Sequence, residues 1–248
     1  MKKFSTTYIL VYVSIVVILT AAVLSFVAEE LRPLQQKNVE IEKMQDILLS
    51  VGRAEDADEQ PDKNIYIEAE FQKYINNSIV LNNKGESVEG RDAFEITKNL
   101  KAEIAKPVEQ RGLPLFIYTN EKGENKYIIP LLGRGLWGQI WGYISLNDDL
   151  TTISGAVFDH AKETPGLGAE INTRWFQENF AGKKIFNTSS EFVAVKVVKG
   201  GTDPSNPHGV DAVSGGTITS KGLESMIYDG LKPYETYFKQ KMKSNSDE

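Results

Sequence analysis

The longest apolar stretch of the chain lies at its N-terminus. Residues 4–28 carry no charge, two lysines precede them, and two glutamates follow. As a helix this stretch would extend about 37 Å, which exceeds the roughly 30 Å hydrocarbon core of a bilayer. Because flanking lysines favour the cytoplasmic side, the pattern predicts a transmembrane helix at residues 8–28. Residues 1–7 are then cytoplasmic, and the rest of the chain is extracytoplasmic.

A cleavable signal peptide is the competing interpretation of this stretch. The apolar run is long for a signal peptide, and the bulky Phe26 precedes Ala28 at a position where cleavage needs a small residue. The chain contains no cysteine, so anchoring through a lipid-modified cysteine is excluded. We therefore favour an uncleaved anchor.

Helical spacing of apolar residues recurs after the anchor. We expect a juxtamembrane helix that Pro33 kinks or restarts, and then a polar, acidic linker at residues 52–63. The pattern next predicts a short helix around residues 67–75 and a strand at Ser78–Leu81. A further helix is expected over residues 94–104, ending before the next proline.

In the second half of the chain the apolar pattern becomes that of strands. Two strands around a glycine-containing turn predict a β-hairpin at residues 115–131, with further strands at residues 140–146 and 151–158. A short helix is expected around residues 175–180. Phe192–Val198 is the strongest strand pattern, and its weak alternation indicates a central strand.

The last apolar periodicity predicts a helix over residues 223–231, with Ser220 as its N-cap. Helices and strands without an internal repeat indicate the α+β class. About 220 residues follow the anchor, which is enough for one well-packed domain with a smaller N-terminal lobe. The expected divisions are a juxtamembrane helix and lobe at residues 29–110, a main domain at residues 111–240 and a polar tail at residues 241–248.

Charge and composition exclude several kinds of function. The net charge is −6 and no basic patch contains interleaved aromatics, which argues against a nucleic-acid partner. A chain without cysteine has no cysteine nucleophile, cysteine-ligated zinc or cysteine-held iron–sulfur cluster. His160 and His208 lie far apart and lack metal-ligand spacing, so we expect structural or surface histidines and no metal site.

A Ser–His–Asp set drawn from Ser214, His208 and Asp211 has no support in the sequence. The strand, Gly-x-Ser-x-Gly turn and helix of a nucleophile elbow are absent. We therefore expect no catalytic residue in this chain.

One hydroxyl-rich segment near the C-terminus carries the most specific chemistry. Residues 211–220 read Asp-Ala-Val-Ser-Gly-Gly-Thr-Ile-Thr-Ser and directly precede the last helical pattern. Glycines let backbone N–H groups approach a ligand closely, and a helix N-terminus favours a phosphate. Ordinary capping and turn chemistry would use the same residue types. The residues alone therefore leave both interpretations open.

Two further segments accompany the hydroxyl-rich one. Residues 163–170 read Glu-Thr-Pro-Gly-Leu-Gly-Ala-Glu, which by composition is a Pro-Gly turn. Residues 133–143 read Gly-Arg-Gly-Leu-Trp-Gly-Gln-Ile-Trp-Gly-Tyr, which by composition is a glycine-rich bend with core aromatics.

Together these segments resemble the FMN-binding domain family. Residues 211–217 resemble its flavinylation motif, Asp-x-x-Ser/Thr-Gly-Ala-Thr, with Gly216 where alanine is usual. Residues 163–168 resemble the Glu-Thr-Pro-Gly-Leu-Gly segment that accompanies this motif in electron-transport proteins. With the single anchor, the chain is similar to the NqrC family of Na⁺-translocating NADH:quinone oxidoreductases. The flavin protein of the Rnf-type ferredoxin:NAD oxidoreductase shares these features, but the extended region at residues 34–106 favours the NqrC family.

The resemblance implies that one FMN is attached to Thr217 through a phosphoester bond. Thr219 and Ser220 are neighbouring hydroxyls that compete for this modification. The resemblance also places a set of residues in the flavin pocket. These are Asp211, Ser214, Gly215, Gly216, Thr219, Glu163, Thr164, Pro165, Gly166 and Leu167.

The implied role is electron transfer within a Na⁺-pumping complex of the bacterial inner membrane, with the main domain in the periplasm. Implied partners are the other membrane subunits and a Mg²⁺-dependent flavin transferase that uses FAD. Free-standing catalysis is not implied. A membrane-anchored sensor or ligand-binding module without covalent flavin is the alternative from another class. A protein that stays yellow after acid denaturation would argue against that alternative.

Overall fold

A computed structural model describes residues 5–246. The chain divides into two compact units, residues 1–43 and residues 44–248. The first helix, α1 (Thr6–Leu49), begins in the first unit and ends in the second. It is continuous through Pro33, so the expected juxtamembrane helix is confirmed and a restart at Pro33 is wrong.

The first unit presents an apolar surface to its surroundings. The apolar side chains from Tyr8 to Val27 are exposed. By length and composition, α1 is able to cross a membrane. The long apolar N-terminal helix expected from the sequence is therefore present.

The second unit combines helices with strands, as the sequence predicts. Its helices are α2 (Lys63–Tyr74), α3 (Ala93–Lys98), α4 (Leu100–Ile104), α5 (Arg174–Gln177), α6 (Thr217–Leu231) and α7 (Glu235–Ser246). Its strands are β1 (Ile75–Leu81), β2 (Leu113–Thr119), β3 (Asn125–Arg134), β4 (Gln139–Asn147), β5 (Ile153–His160), β6 (Lys196–Val198) and β7 (Gly209–Asp211). The single helix expected over residues 94–104 is divided at Asn99, whose φ of −114° and ψ of 29° are not helical.

Strands β1 to β5 form one antiparallel sheet in sequence order. The expected hairpin is confirmed, since Phe116 pairs with Ile128 and Thr119 with Asn125. The strands expected at residues 140–146 and 151–158 are also confirmed, as β4 and β5. In the β3–β4 pair Arg134 lies opposite Gln139, which leaves residues 135–138 as the connection, termed here the β3–β4 tip.

The expected central strand at Phe192–Val198 is wrong. Only β6 is extended there, and it pairs in parallel with β7 outside the main sheet. Ala194 has a φ of +55°, and the N–H groups of Val193 and Ala194 both donate to the Ile185 carbonyl. Most of these apolar side chains are buried against the core, so the run records burial and not strand pairing.

Helix α6 begins earlier than the sequence suggests. Its first residue is Thr217 and its N-cap is Gly216, so the assignment of Ser220 as N-cap is wrong. The Ser220 hydroxyl lies inside the first turn and accepts a hydrogen bond from Val213 N–H at 3.2 Å. The earlier start places the hydroxyl-rich segment within the helix N-terminus itself.

Both faces of the sheet are covered, which fixes the position of α6. On one face Ile129 and Ile144 pack in the same core as Leu223 and Ile227 of α6. The opposite face packs against the end of α1, α2 and α3 through another cluster. That cluster contains Ile47, Val51, Tyr74, Val80, Ala93, Ile96, Phe116, Tyr118, Ile128 and Tyr143. Burial on both faces explains why the strands carry long apolar runs.

A buried carboxylate holds the connection between α4 and β2. Glu103 accepts hydrogen bonds from Arg91 at 2.7 Å, Lys106 at 2.6 Å and the Gly112 N–H at 2.6 Å. Burial by itself would raise the pKa of Glu103, but these three donors hold the pKa at about 2. The ionised carboxylate therefore stabilises the folded state.

We expect Glu103→Gln to lower the free energy of unfolding by about 2 kcal/mol at pH 7, because hydrogen bonds to a charged group are lost. The native contribution is complete above about pH 5 and is lost as the pH falls towards 2, since the folded pKa lies below the unfolded one. Urea unfolding of both proteins at pH 7 and pH 3 measures this difference. The matched control is Glu109→Gln at an exposed position nearby. An equal loss at both pH values would contradict the assigned cause.

Candidate functional site

The structure brings the three segments singled out in the sequence together at the start of α6. Thr217 is the first residue of that helix. The Pro-Gly turn (residues 163–168) contacts both the first turn of α6 and the β3–β4 tip through Glu163. Segments that are far apart in sequence therefore form one site.

The motif turn (residues 213–216) leads directly into α6. Gly216 N–H donates to the Val213 carbonyl at 3.1 Å, and Gly215 has a φ of +72°. Only glycine adopts that φ without strain, so the turn depends on Gly215. A Cβ on Gly215 would also contact the Leu167 side chain. The motif turn and the Pro-Gly turn are therefore in direct contact.

The hydroxyls of the motif differ in accessibility. Thr219 is 1% exposed, and its hydroxyl donates to Glu163 Oε2 at 2.5 Å. Ser220 is also buried, and its hydroxyl is engaged with Val213 N–H. Thr217 is half-buried and Ser214 is exposed. An external reagent can therefore reach Ser214 and Thr217, but not the two buried hydroxyls.

Asp211 has a structural partner outside the motif. Its side chain is exposed, and Oδ1 accepts a hydrogen bond from the Thr202 N–H at 2.6 Å. This contact holds the loop that connects β6 and β7 beside the motif. His208 Nδ1 pairs with the Lys184 carbonyl at 2.7 Å, so the structure gives no support to a Ser–His–Asp set.

The Pro-Gly turn is folded by its own hydrogen bonds. The Thr164 carbonyl accepts from Leu167 N–H at 3.1 Å, and Gly166 N–H donates to the Glu170 carboxylate at 3.0 Å. Thr164, Pro165, Gly166 and Leu167 are exposed. The N–H groups of Gly166 and Leu167 are already paired, so the surface that the turn offers to a ligand is mainly apolar.

The β3–β4 tip contributes a residue that the motifs did not identify. Composition suggested core aromatics here, and Tyr143 is buried, but Trp137 is 64% exposed. Its backbone N–H donates to Glu163 Oε1 at 2.9 Å. The signal available in the sequence was the position of Trp137 at a connection between two strands, where a core residue is not expected.

An apolar rim surrounds the partly exposed Thr217 hydroxyl. It is formed by the side chains of Trp137, Leu167 (43% exposed) and Ile218 (57% exposed). A flat aromatic ring system fits against such exposed apolar groups, and the N-terminus of a fifteen-residue helix favours a phosphate. The site therefore has the two kinds of surface that FMN needs. Within residues 5–246, no cluster of His, Asp or Glu could hold a metal ion.

Comparisons with known proteins agree with this site. A family model described as FMN-binding domain matches residues 135–232, which contain the β3–β4 tip, the Pro-Gly turn and the motif turn. The solved structure of the corresponding protein of the Na⁺-translocating NADH-quinone reductase, NqrC, from Parabacteroides distasonis is 40% identical, with a TM-score of 0.70. The match covers 84% of this chain and 96% of that chain.

Two further relatives carry the same identity. The solved structure of NqrC from Shewanella oneidensis is 26% identical, with a TM-score of 0.65, over 82% of this chain and 97% of that chain. The curated NqrC protein of the Na⁺-translocating NADH-quinone reductase from Vibrio vulnificus is 30% identical, over 82% of this chain and 81% of the relative. With the fold and the site in agreement, the chain belongs to the NqrC family of Na⁺-translocating NADH-quinone reductases.

Proposed function

We propose that this chain is the flavin-carrying electron-transfer subunit of a Na⁺-translocating NADH:quinone reductase, with FMN attached covalently to Thr217. The names of its relatives and the FMN-binding domain match support the flavin and the complex. The flavin supplies the redox chemistry. The protein contributes the attachment point, the apolar rim and the control of solvent access.

The observation that carries the covalent assignment is the unequal exposure of the motif hydroxyls. Thr219 and Ser220 are buried and hydrogen-bonded, whereas Thr217 is accessible at the first position of α6. A phosphoester at that position lies next to N–H groups that have no partner within the helix. Ser214 is also exposed, but it precedes the helix.

The attachment step needs a transferase and FAD as co-substrate. Thr217 Oγ forms a bond to the phosphorus on the flavin side of FAD. The bond from this phosphorus to the bridging oxygen breaks, and AMP leaves. The hydroxyl proton passes to a base of the transferase, because a threonine hydroxyl needs activation to act as a nucleophile. No oxidation or reduction occurs.

We further propose that residues 8–28 span the bacterial inner membrane, with residues 1–7 in the cytoplasm and the second unit in the periplasm. The exposed apolar surface of α1 and the lysines at residues 2 and 3 support this orientation. Other subunits of the complex are the expected partners of the anchor and of the surface around the flavin. The names of its relatives favour this complex over an Rnf complex.

Acid precipitation tests the proposed function. We expect protein expressed with a matching flavin transferase to keep its yellow colour in the acid pellet. The washed protein should be bleached by dithionite and recover its absorbance in air. If the flavin passes into the supernatant, a ligand-binding module with non-covalent flavin is the better description. Expression without the transferase is the matched control and should give a colourless pellet.

A further inference from the structure

Glu163 is a buried carboxylate that the attachment step does not use. Its residue is 5% exposed, and within residues 5–246 it takes part in no salt bridge. Removing a carboxylate from water costs several kcal/mol unless hydrogen bonds replace the water. A carboxylate at this position therefore indicates a role beyond filling space.

Both carboxylate oxygens accept hydrogen bonds from other segments. Oε1 accepts from Trp137 N–H at 2.9 Å, and Oε2 accepts from the Thr219 hydroxyl at 2.5 Å. The second distance is in the range of charge-assisted bonds. One side chain thus joins the Pro-Gly turn to the β3–β4 tip and to the first turn of α6. Its own N–H donates to His160 Nδ1 at 3.3 Å, which adds the end of β5.

The surrounding backbone leaves room for a carboxylate. A Cβ on Gly135 would lie 2.5 Å from Oε1, and a Cβ on Gly168 would lie 2.5 Å from Oε2. The Gly168 Cβ would also lie 2.5 Å from the Thr219 hydroxyl oxygen. Glycine is therefore required on two sides of Glu163, one on each segment that the carboxylate contacts or belongs to.

We propose that Glu163 is a positioning residue that holds Trp137 and Thr217 on one surface and withholds the Thr219 hydroxyl from modification. This inference rests on the proposed attachment of FMN to Thr217. Thr217 and Thr219 lie in the same turn of α6, so a side chain that fixes Thr219 also fixes the orientation of Thr217. The same carboxylate fixes the backbone that carries Trp137.

Three variants of the full chain separate the role of Glu163 from folding and from charge. Glu163→Ala removes both contacts. Glu163→Gln removes the charge but keeps an oxygen for Trp137 N–H and an amide that can donate to the Thr219 oxygen. Glu170→Ala is the matched control, because Glu170 lies close by and accepts a hydrogen bond from Gly166 only within its own segment.

Two measurements are made on each variant. Amide hydrogen exchange at Trp137 is measured on flavin-free protein and reports the contact itself. The rate and site of flavin attachment by a transferase with FAD are followed by mass spectrometry and report its consequence. We expect Glu163→Ala to speed Trp137 exchange and to slow attachment, each by at least about tenfold. Glu163→Gln and Glu170→Ala should stay within about threefold of the unsubstituted protein in both measurements.

Attachment to Glu163→Ala at the unsubstituted rate, or Glu163→Gln behaving like Glu163→Ala, would overturn the positioning role. If Glu163→Ala does not fold, Thr219→Val removes only the contact with α6. It should slow attachment with Trp137 exchange unchanged, and a normal attachment rate would again overturn the inference. If the unsubstituted protein takes no flavin, the proposed function fails, and Trp137 exchange still tests the contact separately.

Discussion

Thr217→Ala is expected to abolish covalent flavin while the protein stays folded. Thr217 is the accessible hydroxyl at the first position of α6, and its Oγ is the only atom of that side chain able to form the phosphoester. The side chain is half-buried, so losing it should change the free energy of unfolding by no more than about 1 kcal/mol. Intact mass and a thermal melt measure the two effects separately.

Two variants set limits on this prediction. Thr217→Ser keeps the hydroxyl and should still be modified, more slowly because the side chain is less constrained at χ1. Ser214→Ala tests the other exposed hydroxyl, and its flavin should remain on Thr217. Flavin that moves to Ser214 in the Thr217→Ala protein would contradict the assignment of a single acceptor.

Gly215→Ala and Gly216→Ala are expected to differ strongly although the residues are adjacent. Gly215 has a φ of +72°, where alanine is strained by about 1–2 kcal/mol. Its added Cβ would also displace Leu167, which belongs to the apolar rim. We expect lower stability by that amount and attachment slowed at least about tenfold, because the turn that presents Thr217 changes shape.

Gly216→Ala is the matched control for this pair, and it restores the residue usual in the flavinylation motif. Its φ of −100° suits alanine. The new Cβ would lie 3.2 Å from Gly168 Cα and 3.2 Å from Val213 Cγ1, so neighbours need to move only slightly. We expect a stability change below about 1 kcal/mol and attachment within about threefold of the original rate. Equal effects of the two substitutions would contradict the role assigned to the motif turn.

The pattern of apolar positions predicts the main sheet well. β2 to β5 alternate or carry continuous apolar runs between clear turns, and antiparallel neighbours in sequence order need no long-range information. Phe192–Val198 has the same pattern but is mostly not a strand, because Ala194 adopts a positive φ and its neighbours pair with Ile185. Burial and strand pairing leave the same mark on a sequence.

The candidate site is predicted less completely. The motifs identify Thr217 and the two turns that meet beside it, since those are local in sequence. The exposure of Trp137 and the contacts of Glu163 depend on segments that the fold brings together. The burial of Thr219 depends on where α6 begins, and an N-cap assigned to Ser220 hides it. A glycine N-cap carries a weaker sequence signal than a serine.

The most direct test of covalent attachment is the mass of the full chain after expression with a matching flavin transferase, followed by fragmentation to locate the modification. We predict one addition of about 438 Da, the mass of FMN less water, carried by Thr217 as the attached cofactor. Unmodified protein, under conditions in which a known substrate of the transferase is labelled, would contradict this prediction. So would the same added mass located on Ser214, Thr219 or Ser220.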